Sequence, residues 1–228
     1  MSQRLVIPDR ADAEHELTVE HPWWHFSARF NVAESQRVPV ARLHGRESEG
    51  VMMRWGLVPA SAKGDIKRSG YARMTVDAVQ NSAEFRTAWL FGQRGIVPLA
   101  GFYVWRQARA GHRQPYYVRL DNRSVFGVAV LWEQSVTDDD DIVESCALLM
   151  VQPNAFLTNI DPSITAMPAI LRRQDYDTWL RANVSDATRL LASDPQARMT
   201  SHPVAPFVNH LQFDEPQLIQ PTAQDSAH

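Results

Sequence analysis

The sequence predicts an α+β protein, a single domain in which an antiparallel, β-barrel-like sheet is flanked by short helices. Three observations carry that expectation. Short apolar and β-branched runs recur along the chain, each bounded by Gly, Pro or a polar cluster, the pattern of many short strands. Proline (14 residues) outnumbers glycine (10), which suits strands and loops better than a helical bundle. Helical spacing appears only briefly, between those runs. With 228 residues and no repeat or linker, the chain fits one core that buries roughly 70–75% of its unfolded surface. The domain is expected over residues 1–221, with a polar, disordered tail at 222–228.

Residues 10–20 read as a short helix with Leu17 facing inward. An aromatic cluster follows, His21-Pro22-Trp23-Trp24-His25-Phe26, in which His25 is the histidine expected to be packed. Val38–Leu43 alternates like a strand, and Gly50–Gly56 reads as its hairpin partner. The polar stretch 60–72, with Lys63, Gly64, Lys67, Arg68 and Gly70, has the composition of an exposed loop. Ser82 is placed to N-cap a helix running to Leu90, with Phe85, Trp89 and Leu90 on its inner side. Strands are expected at 95–99, 101–105, 115–120 and 125–131, then at 145–151 beyond a solvated acidic tip, Asp138–Asp141. Helices are expected at 154–157, 174–182 and 185–192, and a last strand pair from Ser201–Val204 and Gln217–Ile219.

Charge and composition exclude several function classes. The net charge of −3 provides no global basic field for nucleic acid or membrane, so any such contact rests on local clusters of Lys and Arg. The single cysteine, Cys146, forbids an intrachain disulfide and a cysteine zinc site, and its apolar run marks it as an inert buried thiol. The chain opens without a charged-then-apolar leader and contains no apolar run of ~18 residues, so a cytoplasmic monomer with no membrane contact is expected. Phosphate-loop, dinucleotide, nucleophile-elbow and zinc-helix motifs are all missing, and the eight histidines are scattered; no cofactor and no metal are expected.

Several segments, in order, resemble the SRAP family of SOS-response-associated, abasic-site-sensing proteins. They include Arg29-Phe30-Asn31-Val32-Ala33, Arg54-Trp55-Gly56-Leu57-Val58-Pro59, Gly101-Phe102-Tyr103-Val104-Trp105, Met167-Pro168-Ala169-Ile170-Leu171 and Asp175–Leu180. Together with the closing segment Leu218-Ile219-Gln220-Pro221 they span nearly the whole chain. The resemblance implies a cleft for single-stranded DNA carrying an abasic site. In the family, an N-terminal Cys left by removal of the initiator Met attacks the sugar aldehyde, its α-amine forms an imine, and its thiol closes a thiazolidine. A Glu, an Asn and a His assist with proton transfer and positioning.

Matched residue by residue, the scaffold positions agree and the chemical ones do not. The nucleophile position is Ser2, the Glu is Val104, the Asn is Arg73 and the His is Ile164. The family's Arg two residues beyond that Asn is Thr75, a pocket Thr is Met150, a wedge Trp is Ser61 and a Pro is Glu34. Val, Ile and Met transfer no protons and favour a dry pocket. The resemblance therefore implies a pseudoenzyme that binds single-stranded DNA, its expected contacts being Arg4, Arg54, Lys63, Lys67, Arg68, Arg73, Arg86 and Trp105. Arg94 and Arg106 also lie in the matching segments, and Arg86 and Arg94 have a structural reading as internal ion pairs. Two alternatives stand beside it: residual lyase or cross-linking chemistry through the Ser2 α-amine, and a protein-interaction scaffold that has left DNA.

Overall fold

The computed structural model describes residues 4–62, 70–107, 112–136, 140–191 and 198–222. Strands are β1 (Arg4–Ile7), β2 (His21–Pro22), β3 (Arg29–Val32), β4 (Arg37–His44), β5 (Glu47–Trp55), β6 (Arg73–Thr75), β7 (Arg94–Leu99), β8 (Gly101–Gln107), β9 (Arg113–Leu120), β10 (Phe126–Val136), β11 (Ile142–Val151), β12 (Met167–Pro168) and β13 (Met199–Pro203). Helices are α1 (Arg10–Leu17), α2 (Val76–Asn81), α3 (Ala83–Leu90), α4 (Ala155–Ile160), α5 (Tyr176–Arg181) and α6 (Val184–Leu190).

The predicted barrel is real and closed. Strands β11, β10, β7, β4 and β5 pair in that order, and β5 returns to β11 through Ser145↔Arg54 and Cys146↔Trp55. That closing pair is parallel, whereas the rest of the ring is antiparallel. A second, antiparallel sheet, β13-β9-β8-β1-β3, joins the barrel where β7 turns into β8.

The apolar runs follow from this arrangement, because the barrel strands bury both faces. On β11, Cys146, Leu148 and Met150 enter the interior cluster, while Ala147 and Leu149 enter the outer cluster under the helices. On β10, Val128 and Val130 point in, and Ala129 and Leu131 point out. A period of two between two cores reads as a continuous hydrophobic run. The second sheet continues the interior core with Leu5, Ile7, Phe102 and Val104, and carries a third cluster of Val6, Tyr103, Trp105, Tyr117, Val204 and Val208 on its other face. Gly101 is required at the junction: a Cβ there would come 2.4 Å from the Tyr117 ring and 2.6 Å from the Val118 carbonyl oxygen.

Ser82 caps α3 as expected, its side chain accepting from the Glu84 N–H. Helix α2 precedes it, inside a region without a helical expectation, with Thr75 as its N-cap. Three expectations need correction. Leu90 is 60% exposed, because Phe85, Ala88 and Trp89 form the buried stripe of α3 and Leu90 lies beyond it. Strand β13 pairs with β9, not with 217–219, which form a 3-10 turn opened by Pro216. The two ends meet only in an isolated bridge, Val204↔Pro221. His25 is exposed, its ring Nδ1 lying 3.1 Å from the Trp23 carbonyl oxygen, because Trp24 is the residue that turns inward. Among the described residues, no helix is long and apolar enough to cross a membrane.

Candidate functional site

A pocket of about 270 Å³ opens where β6, β8, the end of β11 and the loop between α4 and β12 converge. Strand β6 contributes Arg73, Met74 and Thr75; β8 contributes Tyr103, Val104 and Trp105; β11 contributes Met150; the loop contributes Ile164, Thr165 and Ala166. Parallel pairing with β11, through Leu148↔Arg73 and Met150↔Thr75, places β6 beside Met150. Of the positions that the family resemblance marks as chemical, Arg73, Val104 and Ile164, remote in sequence, meet in one concavity.

The loop is held there by Asp161. Its carboxylate accepts from the Gln107 N–H at 2.5 Å, at the end of β8, and from the Ser163 N–H at 2.8 Å. These backbone donors, the Gln107 N–H foremost, hold the Asp161 carboxyl below its ordinary range. The Ile164 N–H then donates to the Asp161 carbonyl oxygen, which sets Ile164 in the pocket lining. Sequence reasoning passed over Asp161; the signal was Asp161-Pro162-Ser163, a combination that favours a side-chain-stabilised turn.

The floor is apolar. Val104, Met150 and Ile164 are 7%, 4% and 5% exposed and belong to the barrel's interior cluster. Tyr103 is the one phenol in the lining, and its hydroxyl donates to the Phe30 carbonyl oxygen at 2.8 Å. Burial, reinforced by Tyr117 and Asp214, pushes that phenol well above its ordinary value. Among the described lining residues there is no carboxylate, imidazole or thiol.

Three of the expected cations converge on one turn at Glu34–Ser35. Arg73 lies 3.9 Å from the Glu34 carboxylate. Burial lowers the Arg4 guanidinium below its ordinary value, and the nearby Glu34 opposes that effect. Arg54 donates to Ser35 Oγ at 3.0 Å and to the Gly56 carbonyl oxygen at 2.5 Å, bracing the turn. Arg86 stands exposed on α3, the helix that covers the outer barrel face. Arg94 is buried: it donates to the carbonyl oxygens of Trp179 and Ala182, and its guanidinium lies 5.8 and 5.6 Å from the Trp89 and Trp179 rings. Its role is structural, through carbonyl and ring contacts. Arg106 is exposed and donates to the Tyr116 hydroxyl at 3.2 Å.

Trp105 lines the pocket but is only 9% exposed, with its indole N–H donating to Asn209 Oδ1 at 2.9 Å. Its indole packs in the third cluster, on the opposite face of β8 from Val104, and is not an open stacking platform. Ser2, Lys63, Lys67 and Arg68 lie outside the described residues. Among the described residues, no group of three His, Cys, Asp or Glu is placed to hold a metal ion. Cys146 is fully buried, and desolvation pushes its thiol up to about 12.

Comparison with known proteins places this pocket in context. The family model described as SOS response associated peptidase (SRAP) matches residues 2–211. The abasic site processing protein YoqW of Bacillus subtilis is 26% identical over 204 residues, covering 87% of this chain and 88% of its own. The abasic site processing protein HMCES of Gallus gallus is 25% identical over 202 residues, covering 76% of this chain and 58% of its own. Among solved structures, a protein from Bordetella bronchiseptica superposes with a TM-score of 0.74 at 19% identity, covering 90% of this chain and 100% of that one. A protein from Bacteroides thetaiotaomicron gives 0.72 at 21% identity, covering 82% of both.

Proposed function

The chain belongs to the SOS response associated peptidase (SRAP) family, and from that premise we propose that it binds single-stranded DNA at sites of damage without forming a durable bond to it. One observation carries this reading: the pocket floor is Val104, Met150 and Ile164, continuous with the barrel core. Forming and closing an imine on an abasic sugar needs a group that accepts and returns protons, a contribution of ~10²–10⁴ in rate. The described lining offers none.

At the N-terminus, Ser2 supplies a hydroxyl where the resemblance expects sulfur. Its α-amine, freed by loss of Met1, would titrate near ~7.7–8.0 and form an imine with an aldehyde. Without thiol closure that imine hydrolyses, so contact with an abasic site is transient. Retention of the strand falls to the cations around the Glu34–Ser35 turn, with Arg73 at the pocket mouth and Lys63, Lys67 and Arg68 nearby in sequence.

The test combines two readouts on the full chain. Fluorescence anisotropy with single-stranded oligonucleotides, across a salt series, should show binding whose log–log slope falls by about 0.7 per phosphate contacted. Abasic strands incubated with the protein, heated and run on a denaturing gel should show no adduct. Absence of binding even at low salt would refute the DNA reading and leave the protein-interaction scaffold. A heat-stable adduct would refute the loss of chemistry.

A further inference from the structure

Polarity is unevenly distributed over the pocket. Its floor is aliphatic, and its polar side chains stand at the rim, where Thr75 and Thr165 are exposed and Arg73 is half-buried. Thr75 Oγ1 is already engaged as the acceptor that caps α2. A ring-opened, hydrated sugar is polar on every side. Seating it on Val104, Met150 and Ile164 would strip water from its hydroxyls and return no hydrogen bond.

A nucleobase has the complementary distribution, with apolar faces and with donors and acceptors confined to its edges. From this match we infer that the pocket receives an intact base, unstacked from single-stranded DNA, in preference to the sugar of a missing one. The inference rests on the DNA-binding reading above and specifies what that site holds. About 270 Å³ lies just below the usual ~300 Å³ lower bound of small-ligand pockets, which suits one ring system and not two. The base lies with one face on the aliphatic floor and its edges toward the polar rim. Arg73 then reaches the acceptor atoms on its edge. The guanidinium carries five donors, and its 3.9 Å contact with Glu34 is longer than a hydrogen bond. Swinging a base out is cheapest in a strand that is already single.

Three otherwise identical single strands test this on the full chain, with thymine, 2-aminopurine or a tetrahydrofuran abasic analogue at the centre. The base-bearing strands should bind about tenfold tighter than the tetrahydrofuran strand, the scale expected for taking part of one base face out of water. The 2-aminopurine emission should change on binding, as the probe leaves its stacked neighbours for the pocket. Ala166→Phe, which fills the mouth, and Ile164→Asp, which charges the floor, should each reduce the preference toward unity. Equal or tighter binding of the tetrahydrofuran strand, or unaltered 2-aminopurine emission in the complex, overturns this inference and leaves the DNA-binding reading standing. Failure of all three strands to bind overturns both.

Discussion

Replacing Val104 by Glu tests whether the pocket floor is as dry as its lining implies. Val104 is 7% exposed and packs in the cluster that includes Met150 and Ile164, at 4% and 5%. A carboxylate there exchanges water for methyl groups, with Arg73 at the rim the nearest cation in the lining. A buried polar group without a full set of partners costs about 3 kcal/mol. That corresponds to a carboxyl raised by ~2 units, from ~4.3 in the unfolded chain to about 6.5 in the folded one. The sign follows from linkage. Below ~4.3 both states are protonated and the charge penalty is absent; it grows as pH rises and levels off above about 6.5. For a domain of this size the full penalty lowers Tm by about 6–12 °C. Thermal unfolding of wild type, Val104→Glu and Val104→Gln should therefore show a Val104→Glu deficit at about pH 7.5 that shrinks markedly near pH 5, while the Val104→Gln deficit stays constant. A Val104→Glu protein as stable as wild type at the higher pH would mean a hydrated floor, and the argument against proton-transfer chemistry would fail with it.

Ser2→Cys alone should yield no heat-stable adduct on a denaturing gel with abasic strands, because the thiol still lacks a proton-transfer partner. Glu34→Gln removes the carboxylate facing Arg73 and Arg4, so single-strand affinity should rise and the salt slope steepen by about 0.7, one further phosphate contact, in anisotropy titrations. Tyr176→Phe deletes a hydroxyl that donates to Glu16 Oε1 at 2.7 Å and accepts from the Gly127 N–H at 2.7 Å; urea unfolding should show a loss of about 1–3 kcal/mol. Gly101→Ala drives a Cβ into the Tyr117 ring and the Val118 carbonyl, and the same measurement should show a loss of about 1–3 kcal/mol or more.

What was legible in the sequence follows its physical periodicity. Strands β4, β5, β7, β8, β9, β10 and β11 each announce themselves by apolar runs between turn residues, and the Ser82 cap is a local signal read correctly. Barrel closure was not legible beyond its general outline, because the β5–β11 contact is set by two residue pairs far apart in the chain. Helix α2 was hidden in the same way: Val76–Asn81 presents only Val79 as a fully buried side chain, too little for an apolar stripe. Leu90 and His25 were misplaced because hydrophobicity and neighbourhood do not tell which side of a helix or loop meets the core. The site positions came from family resemblance, and their convergence into one pocket came from the structure. Arg94 shows the limit of charge counting: an arginine in a cleft-matching segment is spent on carbonyls and indole rings inside the fold.

The apolar character of the pocket floor has a structural cause. Val104 ends the inward-facing row of β8, Met150 ends that of β11, and Ile164 is carried over both by a loop fixed at Asp161. A polar side chain at any of these three places interrupts the interior core, and an apolar one extends it. Once a proton-transfer network loses one member, its remaining buried polar groups lose partners, and each becomes a liability to stability. Val, Met and Ile at these three places carry no such liability. The rim differs, because Arg73, Thr75 and Thr165 are in reach of water and carry no such penalty. An apolar floor is thus favoured by folding, while the polar residues at the mouth are neutral to it and are left to be decided by binding.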